Sequence, residues 1–346
     1  MKLWKMLLVL LALDASAAVV NLARVPGDAF LRAVCDVQSL TSKDSSPVAL
    51  AKPLLLMFWN CENFFDYTDS GTGVSDWEFS AGGSRHWTAK RFYAKCEIFA
   101  KSLLYISERE GHLPDAVGLA EIENAEVLRR LLSSTLLRKL DYRFIHYDSP
   151  DHRGIDCALL YRSSRLTHIS SKPCHIDTLA TRDILLAQFL TARGDSVAIL
   201  VNHHPSKYGG SASESLRVLA MKRLRFLSDS LENAGWDQRV ALGDFNEQLS
   251  DSVFGLLTPS LVPVPVQEDS FQGSIRFNGE WQFIDLAFVS PSLESRSSFR
   301  ASPLPFLMEK DSTHSGLKPL RTYSGPRWKG GFSDHLPILV EIAGSR

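Results

Sequence analysis

The sequence predicts an α/β sandwich, two packed β-sheets with helices outside, from about residue 50 to the end of the chain. Three observations predict it. Apolar runs of strand length recur along the chain, several without a polar interruption, as strands buried on both faces read. Longer segments repeat apolar residues at steps of three and four, the spacing of a helix with one buried face. After residue 140 strands follow one another directly, which does not fit strand–helix alternation throughout.

Residues 54–59 form the first apolar run. Thr88 opens a helix in which Phe92, Cys96, Phe99, Leu103 and Ile106 share a face. Residues 116–120 read as a short buried strand, and Asn124 as the cap of a helix carrying Leu128, Leu131 and Leu132. Strands are expected at 142–147, 157–161, 184–190 and 197–202. A second long helix holds Leu216, Ala220, Leu224, Leu227 and Leu231 and stops at Gly235. Strands return at 240–242, 283–289 and 336–342.

Composition sets the class. The chain has 346 residues, 45% hydrophobic and 22% charged, which excludes collagen-like, low-complexity and disordered classes for its bulk. Lys and Arg total 38 against 39 Asp and Glu, so a strongly basic nucleic-acid coat is disfavoured while a local basic cleft is not. Five cysteines, an odd number with no C-x-x-C, suggest neither a zinc site nor a disulfide framework. Cys61 and Cys157 lie inside strand sequences and are expected as buried free thiols.

At the N-terminus, Lys2 and Lys5 precede an apolar run at residues 6–13 and a small-residue stretch, Ala15-Ser16-Ala17. That is the layout of a secretory signal peptide, here residues 1–18, with Asp14 the one awkward residue. Residues 19–50 read as linker and 51–346 as the functional domain. No stretch is long and apolar enough for a membrane helix. A secreted or periplasmic monomer is expected, with no stable protein partner implied.

The chemistry shows at the strand ends, where apolar runs stop abruptly in acidic, amide or imidazole side chains. The ends read Asn60-Cys61-Glu62-Asn63, Glu121-Ile122-Glu123-Asn124, Asn202-His203-His204, Asp244-Phe245-Asn246, Asp285-Leu286 and Ser333-Asp334-His335. Polar groups against buried strands are costly unless paired or bound to a metal, and sandwich strands can bring their ends to one mouth. Carboxylates and amides are hard oxygen donors suited to Mg²⁺, Mn²⁺ or Ca²⁺, and imidazoles suit phosphate contact or proton transfer. Alternation along a strand lets only one of His203 and His204 face such a site. Glu123 reads as a residue favoured by the dipole at a helix start.

In this order the motifs N-x-E, A-E-I-E-N, R-G-I-D, N-H-H-P-S, G-D-F-N, I-D-L and S-D-H-L-P resemble the endonuclease/exonuclease/phosphatase superfamily, the deoxyribonuclease I-like proteins, over residues 54–342. F-W-N-C-E-N-F-F-D and Y-D-S-P-D-H-R-G-I-D-C-A-L-L-Y-R look most like its secreted bacterial branch. The resemblance implies a four-layered α/β/β/α sandwich and metal-assisted attack of water on a phosphate ester. It implies Asn60, Glu62, Glu121 and Asp334 as the metal environment, with Glu62 alternatively a turn carboxylate. To the chemistry it assigns Asp244 at the attacking water, Asn246 at the phosphoryl oxygens, His335 oriented by Asp285, and His203 in preference to His204. Arg153 and Asp156 either line the cleft or form a structural ion pair.

Specificity is expected in the loops 67–87, 206–213 and 291–332. In the last, Arg321, Arg327, Trp328 and Lys329 precede S-D-H, and a cation with an aromatic there, Arg327 with Trp328, could grip a phosphate and stack a base, or the stretch could equally be a solvated loop. The cofactor expected is Mg²⁺, with Mn²⁺ or Ca²⁺ as alternatives, and the substrate a nucleic acid. A phosphomonoester, a sphingomyelin-like lipid and a non-catalytic binding role on the same fold are the alternatives.

Overall fold

The computed structural model describes residues 52–71, 73–177, 179–207 and 211–344. The signal-peptide and linker assignments, and Cys35, lie outside them. In chain order the elements are β1 (Leu54–Phe64), α1 (Ala89–Glu110), β2 (Ala116–Ile122), α2 (Ala125–Ser134), β3 (Tyr142–His146), β4 (Asp156–Arg162), β5 (Leu166–Cys174), β6 (Ile184–Thr191), β7 (Ser196–His203), α3 (Ser211–Asn233) and β8 (Gln238–Asp244). Then come β9 (Val262–Pro263), the hairpin β10 (Ile275–Phe277) and β11 (Glu280–Gln282), β12 (Asp285–Val289), the single turn α4 (Pro291–Glu294) and β13 (Ser297–Ala301). Two short hairpins, β14 (Met308–Lys310) with β15 (Leu317–Pro319) and β16 (Tyr323–Ser324) with β17 (Arg327–Trp328), precede the last strand, β18 (Ile338–Ile342).

These strands make two six-stranded sheets, ordered β13-β18-β1-β2-β4-β3 and β5-β6-β7-β8-β12-β9. The alternation of side chains along β1 shows how the layers arise. Leu56 and Phe58 point into the core between the sheets, against Val201, Leu242 and Val340. Leu55, Met57 and Trp59 point the other way, into a core shared with Phe92, Cys96, Phe99 and Leu103 of α1 and Leu128 and Leu131 of α2. On the second sheet, Ala198, Leu200 and Phe288 meet Met221, Leu224, Leu227 and Leu231 of α3. The result is a four-layered α/β/β/α sandwich. At Gly118 the sheets pack closely, since a Cβ there would lie 3.1 Å from Leu242 Cδ1 and 3.3 Å from Val201 Cγ1.

Each sheet has one central parallel pair, β1 with β2 and β7 with β8, so four strands present their carboxyl ends. Asp285, the first residue of β12, lies directly opposite Asp244, the last of β8. Gly243 lets β7 and β8 come together just before that end, since a Cβ there would sit 2.1 Å from the Asn202 carbonyl oxygen.

The structure extends or adds to the sequence reading in three places. β1 runs on through Phe64 with an irregular register against β2 between Asn60 and Phe64. β5 and β13 are strands that the apolar pattern did not show. Leu216, expected on the buried face of α3, is 36% exposed, and the packed stripe starts at Ala220. Cys61 and Cys157 are buried free thiols, as are Cys96 and Cys174. Burial pushes the Cys61 and Cys157 thiols up, away from the reactive thiolate. No helix among the described residues is long and apolar enough to cross a membrane.

Candidate active site

Three backbone irregularities aim the site. Glu62, Asn63 and Glu121 take left-handed conformations, with φ of 46°, 55° and 62°. Such conformations cost non-glycine residues energy and cluster where a side chain must be re-aimed. At Glu121 the register of β2 against β4 breaks between Leu119 and Ile122. The Glu121 carboxylate is then fixed by the Asn63 backbone N–H, which donates to Oε2 at 2.7 Å. Its other oxygen, Oε1, lies 3.9 Å from His203 Nε2, too far for a hydrogen bond.

Asn60, on β1, donates through Nδ2 to Asp244 Oδ2 at 3.0 Å, while its Oδ1 accepts the Glu62 backbone N–H. Around that Asp244 oxygen stand His203 Nε2 at 3.8 Å and His335 Nε2 at 3.9 Å. His335 in turn places Nδ1 2.7 Å from Asp285 Oδ2. Its backbone is held at both ends, by Ser333 Oγ accepting its N–H and by Trp59 Nε1 donating to its carbonyl. Asn60, His203, Asp244, Asp285 and His335 are all buried.

The charges divide sharply. Burial works against an imidazolium at His335, but the charge and hydrogen bond of Asp285, with the charges of Asp244 and Asp334, hold its pKa well above the usual histidine value. His203 goes the opposite way. Burial, then the Arg182 and Arg153 guanidiniums, push it well below the usual value, so it stays neutral. Burial and the neighbouring Asp285 charge raise Asp244 to about 7, against the opposing pull of His335. One carboxylate poised near neutrality thus sits between a cationic and a neutral imidazole, an arrangement suited to proton transfer.

His204 is turned away. Its Nε2 lies 3.3 Å from Asn202 Oδ1 and its ring packs edge-on against Phe245 at 4.8 Å. Asn246 lies past the end of β8 with φ of 53°, so the alternation that would align it with Asp244 does not apply. Its N–H instead donates to Asp244 Oδ1, and its Nδ2 donates to the His204 carbonyl at 3.0 Å.

Glu62 and Asp334 both face Arg321. Arg321 Nε lies 2.9 Å from Glu62 Oε1, and its Nη2 lies 3.0 Å from Asp334 Oδ2. Arg153 leans into the site, with Nη2 2.5 Å from Asn63 Oδ1 and 3.6 Å from Glu121 Oε2. Asp156 does not join it. Its Oδ1 accepts from the Ser149 N–H and hydroxyl, and its Oδ2 lies 3.3 Å from His146 Nε2. Arg327 and Trp328 form the exposed β17, where Trp328 lies under the Arg91 guanidinium at 5.1 Å. The structure gives neither of them a contact with the residues around Asp244.

Three neighbours were not singled out by the sequence as site groups. Arg182 is buried, donating to Asp151 Oδ2 at 3.0 Å and to the His204 carbonyl at 2.9 Å. Lys95 is buried within α1 and donates to the Glu62 carbonyl at 2.7 Å. Its only sequence signal is a lysine on the apolar stripe of a helix, next to Cys96. Arg321 was noticed only as part of a basic loop.

Glu123 stands at the start of α2, directly before its Asn124 cap. It is buried, Asn124 caps α2 through the Val127 N–H, and Glu123 Oε2 accepts the Asp66 N–H at 2.6 Å. Burial pushes its pKa to about 8, opposed by that bond and assisted by the charges of Asp66 and Asp76. A carboxyl raised on folding favours the fold while protonated and weakens it as pH rises from the unfolded value through about 8. Glu123→Gln should therefore raise Tm by roughly 2–5 °C at pH 8.5 and leave it nearly unchanged at pH 5. Equal shifts at both pH values in thermal melts would contradict the raised pKa.

A divalent ion suits this donor set. Glu121 with Asn60 supplies hard oxygen donors, and the Asp244 carboxylate places another oxygen beside Asn60. The model of the endonuclease/exonuclease/phosphatase family matches residues 55–344. No curated protein matches the chain. Among solved structures, the chain is similar to humanized D. rerio TDP2, at 16% identity and TM-score 0.52, covering 84% of this chain and 98% of that one. It is similar to the Bacteroides thetaiotaomicron mannosyl-6-phosphatase at 14% identity and TM-score 0.53, covering 84% and 100% of the two chains. The human nocturnin catalytic domain aligns at 18% identity and TM-score 0.50, over 84% and 93%. At these identities the likenesses speak for the fold, and the family match extends over almost all of the described chain. The chain belongs to the endonuclease/exonuclease/phosphatase family and is a phosphoric ester hydrolase.

Proposed function

We propose that the chain is a Mg²⁺-dependent nuclease or phosphodiesterase that directs water in line at phosphorus, with no covalent enzyme intermediate. The observation that carries this reading is the buried Asp244 carboxylate, whose Oδ2 accepts from Asn60 and stands 3.8 Å from His203 Nε2 and 3.9 Å from His335 Nε2, the latter imidazole tied to Asp285. Glu121 and Asn60 would hold the metal, with Mn²⁺ as an alternative. When bound, it would neutralise charge developing on the phosphoryl and leaving oxygens. Asp244 would take the proton of the attacking water, matched to that task by its raised pKa. His335, kept cationic by Asp285, would meet the phosphoryl oxygen, and His203 would donate from Nε2. Asn246 spends one amide hydrogen on the His204 carbonyl and has a second for a phosphoryl oxygen.

The basic, apolar and small-residue order of residues 1–18, with the resemblance to a secreted bacterial branch, supports export. A phosphomonoesterase is the second reading, favoured by the half-exposed Arg321 at the rim, an additional cation for a more highly charged phosphate. The test is a panel of plasmid DNA, RNA, sphingomyelin, phosphorylated inositols and sugar phosphates, each with Mg²⁺ and with excess chelator. Nucleic acid should be cut and chelator should stop it. Full activity in chelator would sink the metal assignment, and cleavage of monoesters alone would favour the second reading. A folded chain that cleaves nothing would move the protein to a binding role.

A further inference from the structure

We infer that Arg321 is a fixed phosphate-gripping cation of the active site, and that Glu62 and Asp334 are the clamp that holds it rather than ligands of the divalent ion. The inference rests on the phosphoester reading above and changes which residues serve the metal and which the substrate.

The clamp takes Nε and Nη2, the two donors along one edge of the guanidinium. Nε meets Glu62 Oε1 at 2.9 Å, and Nη2 meets Asp334 Oδ2 at 3.0 Å. Nη1 has no protein partner among the described residues, while the side chain as a whole is 50% exposed against 8% for Glu62. The group is therefore immobilised on one side and open on the other, which is what bidentate recognition of a phosphate asks of an arginine.

Both carboxylate oxygens of Glu62 take part in this task. Its second oxygen accepts the Thr322 backbone N–H at 3.0 Å, so one carboxylate grips both the side chain of Arg321 and the backbone that follows it. Beneath it, Lys95 Nζ donates to the Glu62 carbonyl at 2.7 Å and to Thr322 Oγ1 at 2.9 Å. Thr322 Oγ1 then donates to the Phe332 carbonyl at 2.7 Å. The loop carrying Arg321 is thus fastened to the end of β1 at several points. The Arg321 guanidinium, set against both Glu62 and Asp334, puts a positive charge where a cation held by these two carboxylates would sit, and so disfavours a divalent ion there. Arg321 and the buried Lys95 lie beside Glu62 and offset part of the negative charge that an approaching phosphate would meet.

The position suits the role. Glu62 is two residues from Asn60, which bonds Asp244, and Asp334 adjoins His335. Arg321 therefore stands at the rim of the mouth whose floor is the Asp244–His335–Asp285 group. Its contribution adds to that of the metal, without depending on it.

Calorimetry on the full chain separates the two roles, with Mg²⁺ alone as one titrant and inorganic phosphate in saturating Mg²⁺ as the other. Arg321→Ala should weaken phosphate binding at least tenfold and change Mg²⁺ affinity less than twofold. Arg321→Lys, which cannot span both carboxylates, should recover only a minor part. Glu62→Gln should weaken phosphate and spare Mg²⁺, whereas Glu121→Gln should weaken Mg²⁺ tenfold or more. The inference is overturned if Glu62→Gln weakens Mg²⁺ as Glu121→Gln does. It is also overturned if Arg321→Ala tightens Mg²⁺, as release of two metal ligands would, or leaves phosphate affinity unchanged. Should Arg321→Ala not fold by circular dichroism, Arg321→Gln and the Glu62 variant carry the same comparison. Both titrations work without turnover, so a wild-type chain that cleaves no substrate defeats the hydrolase reading alone.

Discussion

Asp285→Asn should lower kcat by about a thousandfold or more, and adding His335→Ala to it should cost little further. The two residues lie fifty positions apart in sequence, yet His335 Nδ1 and Asp285 Oδ2 sit 2.7 Å apart in a buried setting. With His335 Nδ1 tied to Asp285, only Nε2 faces Asp244. Burial is the largest influence on His335, and replacing the carboxylate by an amide removes the leading one of the attractions that together overcome it. The imidazolium is then lost near neutrality, and the proton can settle on the wrong nitrogen. A loss of about 10⁴ accompanies the same substitution in a carboxylate–imidazole pair that acts on a reacting group. Because the pair acts as a unit, the double variant should fall near the worse single one. Fully additive losses in kcat would mean the residues work independently. The pH profile gives a second measure, since Asp285→Asn should pull the alkaline limb of kcat to lower pH.

Much of this arrangement is legible in the sequence because β1, β2, β7 and β8 are buried on both faces. Their apolar runs are uninterrupted, and the polar residues that end them lie at adjacent carboxyl ends. What the pattern misses is what burial does not mark. β5 runs through Thr167, His168, Ile169 and Ser170, all exposed at the edge of its sheet, so no apolar signal announces it. Alternation also fails where the backbone turns left-handed, as it does at Glu62, Glu121 and Asn246. A regular strand would have aimed Asn246 alongside Asp244, and the turn ties its amide to the His204 carbonyl instead.

Long-range pairing is the other blind spot. Arg321 lies 259 residues from Glu62, and nothing local distinguishes it from Arg327 six residues later. The fold separates them: the first is clamped beside the site, and the second lies on an exposed hairpin. Asp156 follows the same rule. It shares a motif with Arg153, but Ser149 and His146 claim its carboxylate while Arg153 reaches toward Glu121.

His203→Ala should lower kcat by about a hundredfold or more, in the range expected for losing a positioned proton donor or acceptor, while His204→Phe should keep activity within a few-fold of wild type. The two imidazoles are adjacent and equally buried, so burial does not separate them. Their surroundings do. His203 Nε2 has Glu121 Oε1 at 3.9 Å and Asp244 Oδ2 at 3.8 Å, gaps that a water can bridge, and its N–H can donate to a phosphoryl oxygen entering there. His204 lies against Phe245, and burial with the Arg182 and Arg217 charges pushes its pKa to about 3. It therefore behaves as a neutral ring at any working pH, and phenylalanine reproduces its shape while giving up the 3.3 Å contact with Asn202. The bonds that Arg182 and Asn246 make here go to the His204 backbone carbonyl, which the substitution leaves in place. Steady-state kinetics on the two variants decide the matter. If His204→Phe abolishes turnover while His203→Ala retains it, the imidazole that serves the phosphate is the one packed against Phe245, and the assignment of His203 is wrong.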